Sequence, residues 1–141
     1  MSSDQTAIVR AVLQDYADRG VFRGFREAAG RKQTIVFEIL CFPFTQHPFQ
    51  LVYSENPASL VFKPLLHGMP ARSDMYRQFK SYMKKRTAAE LPEHRRIDPD
   101  RVELRWSNRQ GDVNVTLNIN DQNHEYATRR AINLLTDVFL D

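Results

Sequence analysis

Residues Val113 to Asn120 read V-N-V-T-L-N-I-N, apolar and polar in strict alternation. Side chains of a strand alternate with period two, so Val113, Val115, Leu117 and Ile119 share one face. Asn114, Thr116, Asn118 and Asn120 share the other. A strand with one apolar and one polar face belongs to a sheet buried on one side and wet on the other. Antiparallel sheets accept that arrangement, whereas parallel sheets are covered on both faces. The pattern predicts an antiparallel sheet with helices on one side and solvent, or a partner, on the other.

Other segments extend this sheet. Phe49, Leu51 and Tyr53 alternate with Gln50, Val52 and Ser54, and Val102, Leu104 and Trp106 alternate with Glu103 and Arg105. Thr34 to Phe42 is apolar on both sides: Ile35, Phe37, Ile39 and Cys41 on one, Val36, Leu40 and Phe42 on the other with Thr34 and Glu38. Such a strand is central, or its second face meets something. Glu38 is expected on the solvent face, paired with a cross-strand cation. Val21 to Ala28 holds Phe22 and Phe25 at different parity, and a bulge at Gly24 brings both rings to one side. Leu60 to Lys63 is a short strand that Pro64 stops or places at an edge. Turns are expected at Ala29-Gly30-Arg31-Lys32, Glu55-Asn56-Pro57-Ala58 and Asn108 to Asp112.

Three segments carry helical stripes. The first has Ile8, Val12, Leu13 and Tyr16, with Ser3 or Asp4 as cap and Gly20 at its end. The second has Met75, Tyr76, Phe79, Tyr82 and Met83, opened by Ser73 and Asp74 and running to Ala89 ahead of Pro92. The last has Ala127, Ala131, Leu134, Leu135 and Val138, with Ile132 and Phe139 beside them and Asp121 or Asn123 as cap. The order α-β-β-β-β-α-β-β-α reads as one α+β domain over residues 1–141, two layers, a mainly antiparallel sheet with helices packed on one face.

This order resembles that of the bacterial type III secretion chaperones and the related YbjN-like proteins, which run helix, three strands, helix, two strands, helix. The similarity is strongest from Ser73–Ala89 through Val102–Trp106 and Val113–Asn120 to the helix after Asn123. The chain departs in its extra strand, Leu60 to Lys63, and in being basic where secretion chaperones are acidic. The resemblance is one of architecture, without a shared residue motif. It implies a dimeric, partner-binding module and transfers no functional residue.

The chemistry-bearing residues are sparse. His47, His67, His94 and His124 are scattered, with no two at metal-ligand spacing, and are expected in water at loops and helix ends. The single cysteine, Cys41, lies in the most apolar strand, where thiols are inert packing. There is no Gly-rich phosphate loop and no Gly-x-Ser-x-Gly turn. No catalytic residue, metal site or cofactor is predicted. One cysteine and an N-terminus without a secretory pattern point to the cytoplasm. The longest apolar run, Ile39 to Phe44, is too short to span a membrane.

Two surface features remain. Residues 72–109 carry eleven Lys or Arg and six Asp or Glu, a net of +5, while residues 110–141 carry two and five, a net of −3. Lys84, Lys85, Arg86, Arg95, Arg96, Arg105 and Arg109 are the candidates for a polyanion, and nucleic acid ranks as the second reading. The stretch Cys41 to Phe49 packs three Phe and two Pro into nine residues. Phe42, Phe44 and Phe49, extended by Leu65, Leu66 and Met69, are the candidates for a partner-binding surface. The leading expectation is a homodimer that binds a client protein or peptide. A small-molecule binder or enzyme with a pocket between sheet and helices is the third reading.

Overall fold

A computed structural model describes residues 4–30, 34–40, 49–55, 58–66, 69–70, 72–88, 91 and 96–140. Its elements are α1 (Asp4–Asp18), β1 (Gly24–Ala29), β2 (Thr34–Leu40), β3 (Phe49–Glu55), β4 (Ala58–Leu66), α2 (Asp74–Lys84), a 3-10 turn (Lys85–Thr87), β5 (Val102–Arg109), β6 (Asp112–Ile119) and α3 (His124–Leu140). The six strands form one sheet in the order β1-β2-β3-β4-β6-β5, and every pairing is antiparallel. The expected α+β order and architecture hold.

The alternating pattern places the core. Val113, Val115, Leu117 and Ile119 are all buried and share a face with Leu60 and Phe62 of β4, Leu51 and Tyr53 of β3, and Phe37 and Ile39 of β2. Helix α1 adds Val9, Val12, Leu13 and Tyr16, α2 adds Tyr76, Phe79 and Met83, and α3 adds Ala127, Ala131, Ile132 and Leu134 to the same cluster. Helices α1 and α3 pack on each other. Arg129 of α3 bonds Asp15 of α1 at 3.2 Å, and the Tyr16 hydroxyl lies 3.3 Å from Asn133 Oδ1. At the sheet edge, Arg10 of α1 grips Glu27 of β1 with two bonds of 2.7 and 2.8 Å.

Local chemistry sets the boundaries. Helix α1 ends where Gly20 takes φ +78°. The Gly20 and Val21 amides then donate to the carbonyls of Ala17 and Tyr16, satisfying the end of the helix. Ser73 opens α2, its Oγ accepting from the Tyr76 amide at 3.1 Å. Asn123 precedes α3, and its carbonyl accepts from the Ala127 amide. Strands β5 and β6 are joined through Gln110 and Gly111, both at positive φ, the backbone a two-residue hairpin needs. Glu38 bonds Arg26, directly opposite on β1, as expected.

Five expectations are corrected. Ile8, expected in the apolar stripe of α1, is 37% exposed, and Val9 takes the inward position in line with Val12, Leu13 and Tyr16. Strand β1 begins at Gly24 with no bulge there, because Phe22 reaches the core from the bend before it. Strand β4 runs through Pro64 and is interior, between β3 and β6. The ladder with β6 shifts register between Phe62 and Leu66, so the missing proline amide falls in the irregular stretch. Met75 is 67% exposed. The buried line of α2 is Tyr76, Phe79 and Met83, and Met75 sits about 100° around the axis from Tyr76. Helix α2 closes at Lys84, not Ala89, and its carboxyl end tightens into the 3-10 turn. The expected caps at Ser3, the turn through Arg31 and Lys32, and the helix stop at Pro92 lie outside the described residues, as do the side chains of Leu135, Val138 and Phe139.

Candidate functional site

The sheet has a second face, formed by the alternate strand positions. Following the register across it, Ala28, Val36, Val52, Val61 and Thr116 stand in one row, which Arg105 completes on β5. Val36, Val52 and Val61 are half-buried and Ala28 is exposed. The neighbouring rows are polar, with Arg26, Glu38 and Gln50 on one side and Thr34, Ser54, Ser59, Asn118 and Glu103 on the other. Two ion pairs mark the ends of this face: Arg26 with Glu38 at 3.3 Å and Arg105 with Glu103 at 3.0 Å. Bonds from Arg105 and Asn118 hold the Glu103 carboxyl below its ordinary pKa. Among the described residues no helix covers this face, since the helical contacts fall on the opposite one.

The aromatic candidates distribute differently. Phe49 is half-buried and packs against the core, and Met69 is buried in it. Strand alternation puts Phe49 with Leu51 and Tyr53 on the helix side of the sheet. Phe42 and Phe44 lie outside the described residues, as do the side chains of Leu65 and Leu66.

The basic candidates do not gather into one patch among the described residues. Lys84 and Lys85 are exposed at the end of α2, and Arg109 is exposed at the β5–β6 hairpin. Arg86 turns inward and is 6% exposed. Its guanidinium lies 3.9 Å from the centre of the Tyr82 ring, and its Nε donates to the Tyr82 carbonyl at 3.2 Å. Arg96 is half-buried, and its carbonyl accepts from Tyr126 and Arg130. Arg105 is occupied by Glu103. Arg95 lies outside the described residues.

A polar cleft opens at one end of the helix-side layer, where the start of α1, the β3–β4 hairpin and the start of α3 meet. It has a volume of about 260 Å³ and is lined by Gln5, Tyr53, Glu55, Ala58, Asp121, Gln122 and His124. Thr6, fully buried on α1, donates to Glu55 Oε1 at 2.8 Å. The rings of Tyr53 and His124 meet edge to face at 6.1 Å. Burial, then the charge of Glu55, pushes the Tyr53 hydroxyl up to about 12. Burial also holds the His124 imidazole below its ordinary pKa, against the opposing pull of the Gln122 backbone and Glu55. Among the described residues, neither Tyr53 Oη nor His124 Nδ1 has a hydrogen-bond partner. No three His, Cys, Asp or Glu side chains among them converge to hold a metal ion.

His124, expected in water at a helix end, is thus 4% exposed inside this cleft. A signal for it stands on β3, where Glu55 takes the next inward position after Tyr53 and so aims a carboxylate toward the core side. Comparison with protein-family models, curated proteins and solved structures finds no match for this chain. The likeness to secretion chaperones therefore rests on element order alone. No helix among the described residues is long and apolar enough to cross a membrane.

Proposed function

We propose that this chain is a protein-binding module that works as a two-fold dimer. Its copies pair through the outer face of the sheet, and the composite surface holds a client segment in the manner of a chaperone or adaptor. The row Val36, Val52 and Val61 carries this reading. β-branched apolar side chains in register across interior strands gain most from being taken out of water, and here they are only half-buried on an uncovered face. A two-fold axis lets one such patch bury its own copy.

Size supports the same reading. Six strands about 4.8 Å apart, about seven residues long at about 3.3 Å per residue, make a face on the order of 600 Å². Two faces bury on the order of 1,200 Å², above the roughly 1,000 Å² that separates specific interfaces from chance contacts. The ion pairs at the two sides carry both signs of charge, so neither side of the face presents a single sign to a copy. The polyanion reading draws less support, because Arg86 is inward and Arg105 is paired.

Sedimentation at tens of micromolar tests the proposal. A dimer is expected, and Val52→Lys is expected to give a monomer with an unchanged circular dichroism spectrum. A wild-type monomer at that concentration overturns it.

A further inference from the structure

We infer that the open edge of the sheet, strand β5, pairs antiparallel with β5 of a second copy, so that two sheets join into one. The contact is separate from the outer face. The sheet ends in β1 on one side and β5 on the other. An edge strand carries a row of unpaired backbone donors and acceptors, and native folds guard it. Strand β1 is guarded. It is six residues long, Glu27 stands on its helix side opposite Phe37, and Arg10 of α1 holds that carboxylate at 2.7 Å. Strand β5 has no such device. It runs eight residues without proline and pairs with β6 without a bulge. Its charges, Glu103, Arg105 and Arg109, stand on the outer side, and Val102, Leu104 and Trp106 face the helix side, the last two only half-buried.

The ladder decides which backbone groups are open. The Asn120 amide donates to the Arg101 carbonyl at 2.9 Å, and these two residues stand opposite each other where the β5–β6 register continues. Bonded pairs alternate with unbonded ones in an antiparallel ladder. Glu103, Arg105, Ser107 and Arg109 therefore direct their backbone bonds to β6, while Val102, Leu104, Trp106 and Asn108 turn theirs to the open side. The Val102 amide is taken by the Asp98 carbonyl; the amides of Leu104, Trp106 and Asn108 meet no partner on that side among the described residues.

These positions select one register. A two-fold axis through Trp106 sets Leu104 opposite Asn108 of the copy, and the three open residues of each strand supply about six backbone bonds. On the outer side the same axis sets Glu103 opposite Arg109 of the copy, twice over, and Arg105 opposite Ser107. Arg109 is exposed and meets no carboxylate among the described residues. Glu103 Oε1 already accepts from Arg105 and Asn118, but Oε2 has only a 3.4 Å bond from Arg105, which leaves room for a second cation. Moving the axis to Arg105 or to Ser107 brings arginine against arginine. Moving it to Leu104 requires the Val102 amide that Asp98 holds. Charge and open backbone groups thus agree on one pairing, with the two Trp106 side chains facing each other at its centre. Such a ladder buries less than the outer face. A dissociation constant of about 0.5 mM is expected, so the edges stay apart at tens of micromolar.

Amide exchange of the full chain, compared at about 0.02 mM and about 1 mM, tests the inference. The amides of Leu104, Trp106 and Asn108 are expected to exchange about two- to threefold more slowly at the higher concentration, while those of Glu103, Arg105 and Ser107 stay unchanged. Sedimentation of the Val52→Lys chain over the same range reads the edge alone, because that variant disables the outer face. A monomer passing to a dimer is expected. Arg109→Glu in that chain sets carboxylate against carboxylate in both outer pairs and should weaken the association about tenfold. Adding Glu103→Arg reverses the pair and should restore it. No slowing at the three amides, association unchanged by Arg109→Glu, or no recovery in the swapped chain would overturn the inference. Slowing of the three amides by an added extended peptide, and not by raised chain concentration, would assign the edge to a client segment and overturn it as well.

Discussion

Leu117 is fully buried and stands opposite Leu60 on one neighbouring strand and Leu104 on the other. Its truncation to Ala is expected to cost about 2–5 kcal/mol, through lost burial and the cavity left behind. Phe79→Ala, from the buried line of α2, should cost about 3–5 kcal/mol. Met75→Ala, one residue from that line, should stay within about 0.5 kcal/mol. Urea midpoints with an unchanged slope measure all three. Losses at the two buried positions no larger than at Met75 would contradict the packing. His124 sets a pH response. Its folded pKa lies below the ordinary 6.5, so above 6.5 the side chain is neutral in both states and its contribution is fully present. As pH falls below that value the unfolded chain takes up the proton first, and stability declines toward the folded pKa. Stability is therefore expected to rise with pH across the weakly acidic range, and His124→Asn should flatten the rise. An unaltered slope in that variant would assign the response to other groups. Glu27 acts lower: bonded by Arg10, its carboxylate supports the fold above 4.5 and loses that support as pH falls below it.

At the scale of elements, helix ends are the sensitive points. Ser73 both caps Tyr76 and donates to the Pro70 carbonyl at 2.7 Å, so Ser73→Ala is expected to cost about 1 kcal/mol. Gly20→Ala meets no steric obstacle, yet it forces a side chain to φ +78° and should cost about 1–2 kcal/mol. Thermal melts of both variants check this, and a Tm equal to wild type for Gly20→Ala would mean that the turn rearranges. These two caps, the alternation of β3 and β6 and a cross-strand cation for Glu38 were legible in the sequence, because each follows from neighbours in the chain or a fixed period; that the cation is Arg26 came only with the register. The path of β4 through Pro64 was not. A proline argues against an interior strand, and only the register shift opposite β6 makes it tolerable. Arg86 was equally hidden. Beside Lys84 and Lys85 it reads as solvated charge, and what turns it inward is the Tyr82 ring together with the close of the helix.

Across the whole molecule, the cleft draws on three distant stretches: Gln5 with Thr6 behind it; Tyr53, Glu55 and Ala58; and Asp121, Gln122 and His124. No local spacing reveals such a site, since it exists only once the sheet and both terminal helices are assembled. The outer face is different: each strand announces its own polar or apolar alternate positions, and the register only aligns them. The same assembly pairs β4 with β6 across the intervening α2 and sets α3 against α1. That last contact has a consequence for synthesis. β2, β3 and β4 leave the ribosome well before α3 does, carrying Phe37, Leu51, Leu60 and Phe62 on the face that α3 helps to cover. During that interval the nascent chain holds an apolar half-sheet open to water, the kind of intermediate that aggregates. Slowed translation between β6 and α3 should therefore lower the soluble yield more than an equal delay between α1 and β1.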